Sequence, residues 1–268
     1  MVDCHNHSAH SFDGEFSVRE MCAAAEAAGL EVFAITDHCE INCWEEHRLA
    51  REIPASVADI EAAKGDFSLR LLTGVELGQP LQDLPRAEEL LDSQPFDFVI
   101  GSLHNTAGDP DFFFGDYAGL ENGEIRRWLG RYYAELLEMV RWGRFDTLAH
   151  ITYPYRYLNA ARAEREIAVD PAEFEAQADA VFRALIEGGG ALELNATSIM
   201  RDERDRALNV SYFRRYRELG GELVTVGSDA HSPDRVGYGI AEAYAILRET
   251  GFEKVAYYEK RRPRFVQI

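Results

Sequence analysis

The residues best suited to chemistry in this sequence are histidines that follow predicted β-strands. The chain contains eight histidines, and six of them share one kind of position in the sequence, whereas His10 and His47 do not. These six come at the N-terminal motif or directly after a strand, at His5, His7, His38, His104, His150 and His231. Neutral imidazole is the commonest metal ligand in proteins. A set that recurs after successive strands therefore predicts one shared metal centre.

Carboxylates accompany these histidines at several positions. In the N-terminal motif, Asp3-Cys-His5-Asn-His7, the two histidines lie on the same face of an extended segment and can reach one ion. Acidic residues stand beside the later histidines or follow a strand of their own, in Asp37-His38, Glu76 and Asp229-Ala-His231. Imidazole mixed with carboxylate favours zinc, iron or manganese over calcium, which takes oxygen ligands only. We therefore predict a transition-metal centre.

The segments that must position these side chains alternate between short apolar strands and longer helices. The strands are predicted at 30–36, 70–75, 98–101, 147–150, 191–195 and 223–227. Ser17-Val-Arg-Glu20 predicts a capping box that opens a helix closed by Gly29. Asp170-Pro171 predicts the start of another helix, which ends at Gly188.

This alternation predicts an α/β fold with a mostly parallel sheet, either open or closed into a barrel. An open sheet usually keeps its chemistry at one switch point, whereas here ligand types follow nearly every strand. We therefore favour a barrel with the site at its mouth. Two polar insertions, 41–56 and 109–123, are predicted to be long loops over that mouth. No linker or repeat divides the chain, so residues 1–268 are predicted to form a single domain.

Composition limits the partners of this protein. With 28 Lys and Arg against 47 Asp and Glu, the 268-residue chain has a formal net charge of -19, which disfavours nucleic acid as a partner. No apolar run approaches the roughly 20 residues needed to span a bilayer, and MVDCHNH lacks the features of a signal peptide. We expect a cytoplasmic protein that acts on a small molecule, with no nucleic-acid or membrane partner.

Taken in order, the motifs resemble those of the PHP (polymerase and histidinol phosphatase) family of phosphoesterases. The resemblance covers essentially the whole chain, and it is carried by Asp-x-His-x-His at Asp3 to His7, Ile35-Thr-Asp-His38, Gly74-Val-Glu76, Ile100-Gly-Ser-Leu-His104, His150 and Gly227-Ser-Asp-Ala-His231. It implies a distorted (β/α)7 TIM-like barrel with the metal site at the C-terminal mouth. The single domain would then be a PHP-type phosphoesterase.

The resemblance also implies how the ligands are shared among two to three divalent transition metals (Zn, Fe or Mn). One metal would take His5, His7, Glu76 and Asp229. A second would share Glu76 and add His104 and His150. A third would take Asp13, His38 and His231; His10 lies close to Asp13 in sequence and remains the alternative ligand there.

The implied activity is phosphoester hydrolysis, with Glu76, Asp229 and His231 as candidate catalytic residues. Two ions held by Glu76 would lower the pKa of a shared water enough to supply hydroxide at neutral pH. The chain is most similar to stand-alone histidinol-phosphate phosphatases, which implies phosphate binding by Arg156 and Arg201 and a role in histidine biosynthesis. A different phosphate ester, such as a phosphotyrosine protein, and a non-catalytic metal-binding module remain the alternatives.

Overall fold

The strands form one large parallel sheet and one terminal hairpin. The computed structural model describes all 268 residues. Its strands are β1 (Val2–Asp3), β2 (Val32–Ile35), β3 (His38–Glu40), β4 (Arg70–Gly78), β5 (Phe98–Ser102), β6 (Thr147–Leu148), β7 (Ala191–Asn195), β8 (Val224–Gly227), β9 (Lys254–Glu259) and β10 (Arg262–Gln267). Strands β2, β5, β7 and β8 are buried along their whole length, as expected where helices cover a parallel sheet.

The large sheet curls into a nearly closed barrel. Its strand order is β1-β2-β4-β5-β6-β7-β8, and β3 pairs with the C-terminal end of β4. Backbone hydrogen bonds from Cys4 N to Val226 O (2.9 Å) and from Asp229 N to His5 O (2.8 Å) join the last strand to the first. Because all these strands are parallel, their carboxyl ends meet at one mouth. The predicted barrel is confirmed.

Nine α-helices surround the barrel. They are α1 (Val18–Ala27), α2 (Leu49–Ala63), α3 (Leu84–Ser93), α4 (Asn122–Trp142), α5 (Tyr153–Ala161), α6 (Glu175–Gly188), α7 (Ala196–Arg201), α8 (Glu203–Glu218) and α9 (Ile240–Glu249). None of them combines the length and the apolar character that crossing a membrane requires.

The two helix starts predicted from capping residues are confirmed. Ser17 and Glu20 form a reciprocal capping box at the start of α1, and Gly29 adopts the left-handed conformation just after its end. Asp170 caps a 3₁₀ turn at Pro171–Phe174 that leads directly into α6. These local signals fix where the helices begin on the outside of the barrel.

The prediction of two long loops is partly wrong for the first of them, 41–56. A 3₁₀ turn at Ile41–Cys43 is followed by α2, so the part of 41–56 from Leu49 onward is helical. Leu49, Ile53 and Val57 recur at helical spacing and form the buried face of α2. The second insertion stays irregular apart from a 3₁₀ turn at Phe112–Phe114, until α4 begins at Asn122.

The C-terminal hairpin was not predicted from the sequence. Strands β9 and β10 pair antiparallel through a turn at Lys260 and Arg261, both with positive φ. Arg261 donates from Nε to Oδ2 of the buried Asp146 at 2.6 Å, and Tyr258 stacks on Phe98. Since Asp146 and Phe98 lie at the amino ends of β6 and β5, the hairpin packs against the end of the barrel opposite the mouth.

Candidate active site

Glu76 lies at the centre of the mouth, fully buried, near the end of β4. Its Oε1 lies 3.0 Å from His150 Nε2 and 3.2 Å from His104 Nε2. Its Oε2 faces the other way, 3.2 Å from His5 Nε2 and 3.6 Å from His7 Nε2. The two carboxylate oxygens thus face two different groups of imidazoles, an arrangement suited to a carboxylate shared between two ions.

Asp229 completes the group around His5 and His7. Its Oδ1 lies 3.3 Å from His7 Nε2 and 3.6 Å from His5 Nε2. The residue follows β8 and adopts a left-handed backbone with φ 59°. A non-glycine residue in this region is uncommon and is often held there by function. The ligand atoms of these three residues lie within 4.8 Å of one another, close enough to surround one ion.

The third group predicted from the sequence gathers beside Phe12 on the open side of the mouth. Asp13 Oδ2 lies 3.2 Å from His231 Nε2 and 3.8 Å from His38 Nε2. His10 instead contacts two acidic residues of α2, with Nδ1 3.2 Å from Glu52 Oε2 and Nε2 3.0 Å from Asp59 Oδ2. Of the two alternatives, the geometry therefore supports Asp13 and not His10 as the partner of His38 and His231.

We expect Asp13→Ala to lower the bound metal by about one ion per chain and activity by at least about tenfold, because a lost ligand costs no less than a lost ligand-orienting group. His10→Ala should change both by less than about threefold, since both ring nitrogens of His10 are already used by α2. Elemental analysis and turnover of both variants check this. The reverse order would assign the position to His10.

Buried polar atoms without partners test whether the cluster fits a metal. Among all the buried side-chain nitrogen and oxygen atoms, only a few make no hydrogen bond, and half of these belong to the cluster: His5 Nε2, His7 Nε2, Glu76 Oε2 and His231 Nε2. A buried polar atom without a partner costs about 1–3 kcal/mol. These atoms belong to overlapping groups of ligand atoms, and transition-metal cations bound there would satisfy them, so the residues fit the predicted metals.

The carboxylates and imidazoles of the cluster shift one another's pKa values. Burial alone raises the pKa of Glu76, but the nearby imidazoles outweigh it and hold that pKa well below its usual range. Burial likewise raises the pKa of Asp229, which the neighbouring imidazoles again lower well below its usual value. Burial, together with the charges of His231 and His38, lowers the pKa of His7 to about 3. Burial also lowers the pKa of His5 and His104, but the nearby carboxylates outweigh it and raise both above their usual range. Ionised carboxylates and neutral imidazole are the forms that bind metals, so a bound cation would displace protons from these rings.

A pocket of about 410 Å³ opens directly onto this cluster. That volume lies in the range of small-molecule sites, roughly 300–1,000 Å³. Besides six of the predicted ligands, its walls consist of aromatic side chains and two further polar residues: Phe12, Phe113, Phe114, Tyr153, Tyr157, Asp111 and Arg156. A larger cavity, about 580 Å³, lies between α6 and α8, but no group of metal-ligating residues borders it. The chemistry therefore belongs to the smaller pocket.

The two arginines predicted to bind phosphate have different surroundings. Arg156, on α5, is buried and lines the pocket; its Nε donates to Ser198 Oγ and its Nη2 to Asn195 Oδ1. Its Nη1 lies 3.6 Å from Asp229 Oδ2 and faces the metal cluster. Arg201 ends α7 with 41% of its side chain exposed, pairs with Asp205 at 3.7 Å, and does not line the pocket. Its phosphate role stays a prediction.

Two buried glutamates were missed by the sequence analysis. Glu193 lies in the middle of β7 with Oε1 2.5 Å from His5 Nδ1, and its Oε2 accepts from His150 N. Glu40 ends β3 and lies 2.9 Å from His104 Nδ1. A charged residue inside an apolar strand, as in Ala191–Asn195, was the available signal, because such a charge is buried only with a partner.

The fold and the site together define an α/β barrel whose mouth carries histidines and carboxylates grouped closely enough to hold metal ions. Sequence comparison names the family: the chain belongs to the PHP domain family, whose model matches residues 3–197. The family resemblance seen in the sequence motifs is therefore confirmed.

Three individual proteins illustrate the similarity. The chain is 27% identical over 262 residues to a probable histidinol-phosphatase of Clostridium acetobutylicum, covering 97% of this chain and 98% of that protein. It is 27% identical to the histidinol-phosphatase of Lactococcus lactis, covering 95% and 93%. The crystal structure of histidinol phosphate phosphatase from Lactococcus lactis, complexed with zinc, L-histidinol and phosphate, superposes with a TM-score of 0.76 at 24% identity and covers 98% of both chains.

Proposed function

We propose that this protein is a metal-dependent phosphomonoesterase that hydrolyses L-histidinol phosphate to L-histidinol and phosphate, a step of histidine biosynthesis. The observation that carries the proposal is the position of Arg156, whose buried guanidinium faces the same pocket as the cluster around Glu76. A phosphate group in this pocket would meet the fixed cation of Arg156 on one side and any metal ions held by the cluster on the other. The histidinol-phosphatases that match nearly the full length of the chain support the choice of substrate.

Bound transition metals would supply hydroxide at neutral pH and neutralise charge on the phosphoryl oxygens. The protein supplies the orientation. Arg156 is held by Ser198 and Asn195 through Nε and Nη2, which leaves Nη1 as the donor nearest the pocket. Because these partners fix the guanidinium plane in advance, little conformational entropy is lost when it binds phosphate.

The aromatic wall of the pocket suits an amine joined to a flat aromatic ring. Asp111 lines the pocket, and its Oδ1 accepts a hydrogen bond from Tyr153 Oη at 3.1 Å, which orients the carboxylate. Phe113 and Phe114 line the same wall with 65% and 72% of their surface exposed. A carboxylate attracts the ammonium of histidinol, and exposed rings can stack on its imidazole. The net charge of -19 further favours a substrate that carries an amine.

The same aromatic wall keeps phosphotyrosine as the second candidate, because its ring can also stack there. We expect the specificity constant for L-histidinol phosphate to exceed that for a phosphotyrosine peptide by at least about tenfold. The two substrates are compared under identical conditions, together with an imidazole-alkyl phosphate that lacks the amine. The amine-free analogue should fall between them, because it keeps the ring and loses the contact with Asp111.

Asp111→Asn serves as the matched variant in this panel. It should lower turnover of L-histidinol phosphate toward that of the amine-free analogue and leave the analogue itself unaffected. Equal or faster hydrolysis of the phosphotyrosine peptide by the unaltered protein would refute the histidinol assignment while leaving phosphoester hydrolysis intact. No hydrolysis of any ester by metal-loaded protein would favour a metal-binding module instead.

A further inference from the structure

Glu40 joins two histidines that come from different strands. It is buried, and a single oxygen, Oε1, lies 3.1 Å from His38 Nδ1 and 2.9 Å from His104 Nδ1. His38 belongs to the group with Asp13, whereas His104 belongs to the group around Glu76 Oε1. One carboxylate oxygen therefore contacts one predicted ligand from each of two separate groups.

The contacts with Glu40 determine which ring nitrogens remain for metals. A neutral imidazole carries one proton, and a carboxylate facing Nδ1 holds the proton on that nitrogen. For His104 this leaves the Nε2 lone pair 3.2 Å from Glu76 Oε1. For His38 both Glu40 and Glu76 face Nδ1, at 3.1 and 2.9 Å, which leaves Nε2 directed toward Asp13. In both rings Nε2 is the atom available to a cation.

The surrounding backbone is adapted to hold Glu40. Gln79 donates from Nε2 to Glu40 Oε2 at 2.5 Å, and its Oε1 accepts from His104 N at 3.1 Å. Gln79 makes these contacts from a left-handed backbone with φ 49°, a conformation that is uncommon for a non-glycine residue. A side chain at Gly78 would put its Cβ 2.3 Å from Glu40 Oε2. Gly78 thus leaves the space that the carboxylate occupies, and Gln79 locks the carboxylate in it.

We propose that Glu40 is a positioning residue that orients His38 and His104 together and thereby couples two of the metal-binding positions at the mouth. The proposal rests on the metal centre of the proposed function but concerns metal retention, not the identity of the substrate. Loss of Glu40 would free two rings at once. The group formed by His5, His7 and Asp229, which Glu193 orients through His5, would keep its geometry.

The test measures zinc release from zinc-loaded protein to an excess of a coloured chelator, with the ion count per chain from elemental analysis. Glu40→Gln preserves size but places an amide beside the Gln79 amide. It should keep the zinc count and speed release of part of the zinc by about 10- to 100-fold, the usual effect of losing a ligand-orienting group. The remaining zinc should be released at the rate measured for the unaltered protein. Gly78→Ala displaces the carboxylate without removing it and should give the same fast phase.

Two further variants serve as controls. Glu193→Gln should speed release of the zinc population that Glu40→Gln leaves unchanged, and the exposed Glu46→Gln should match the unaltered protein. Melting temperatures of the chelated proteins separate positioning from a general structural role. Without zinc, the Glu40→Gln variant should have the same melting temperature as the unaltered protein. The rise in melting temperature that zinc causes should be smaller in the variant.

Several outcomes would overturn the proposal. Identical release curves for Glu40→Gln and the unaltered protein would show that Glu40 holds neither ring. If Glu40→Gln lowered the zinc content by one ion per chain and left the release of the remaining zinc unchanged, Glu40 would itself be a ligand. If Glu40→Gln lowered the melting temperature of the chelated protein as much as that of the zinc-loaded protein, the role of Glu40 would be reduced to packing. Failure of the unaltered protein to bind zinc would instead remove the metal centre and the proposed function.

Discussion

Replacing Asp229 by asparagine is expected to lower turnover by roughly a thousandfold, which corresponds to a loss of about 4 kcal/mol of transition-state stabilisation. Asp229 Oδ1 lies within 3.6 Å of both His5 Nε2 and His7 Nε2, so the substitution removes a charged ligand from the most enclosed part of the mouth. Asparagine is the better test than alanine. It tolerates the left-handed backbone that the structure has at this position, whereas alanine would add strain.

His104→Ala is expected to have an effect of similar size through a different group of ligands, and His47→Ala provides the matched control. His47 does not line the pocket and only stacks on Phe12, with ring centroids 4.3 Å apart, so its loss should change turnover by less than about threefold. Circular dichroism and elemental analysis of all three variants separate lost metal from lost fold. If His47→Ala were as damaging as His104→Ala, the division of the histidines between site and surface would be wrong.

The barrel and the gathering of the histidines could be predicted because both follow from local patterns. Each strand is a short apolar run, and parallel strands bring whatever follows them to one end. The prediction that His38, His104 and His150 approach one another needs only that rule. The structure brings all three within hydrogen-bonding distance of Glu76.

What the sequence could not supply depends on contacts between distant segments. His10 and Asp13 lie in the same turn region, and only the position of α2 shows that His10 is held by Glu52 and Asp59. Glu40 lies two residues beyond His38 and resembles an ordinary polar loop residue until β3 is seen to pair with β4. The space at Gly78 and the contact from Gln79 exist only in that pairing.

The two arginines illustrate the same limit. Arg156 comes six residues after His150 and Arg201 six residues after Asn195, the last residues of two predicted strands, so spacing alone does not distinguish them. In the structure α5 turns Arg156 inward over the ring of Tyr153, 5.1 Å from its centroid. Arg201 lies at the last residue of the short helix α7, where its partner is Asp205. Burial raises the pKa of Tyr157, which lines the pocket, and the charge of Arg201 acts against that rise.

Arg156→Ala is therefore expected to lower the specificity constant for a phosphate ester by roughly thirty- to several-thousandfold. Removing one partner of a buried charge contact costs about 2–5 kcal/mol, and each 1.4 kcal/mol is tenfold. Arg201→Ala should cost about tenfold or less, mainly in the Michaelis constant, because its guanidinium is partly exposed and screened by water. Arg156→Lys keeps the charge but loses the planar fork held by Ser198 and Asn195, so it should recover only a small part of the activity. Bound metal should stay unchanged in both Arg156 variants. A larger loss in Arg201→Ala than in Arg156→Ala would move the phosphate site outward to the rim.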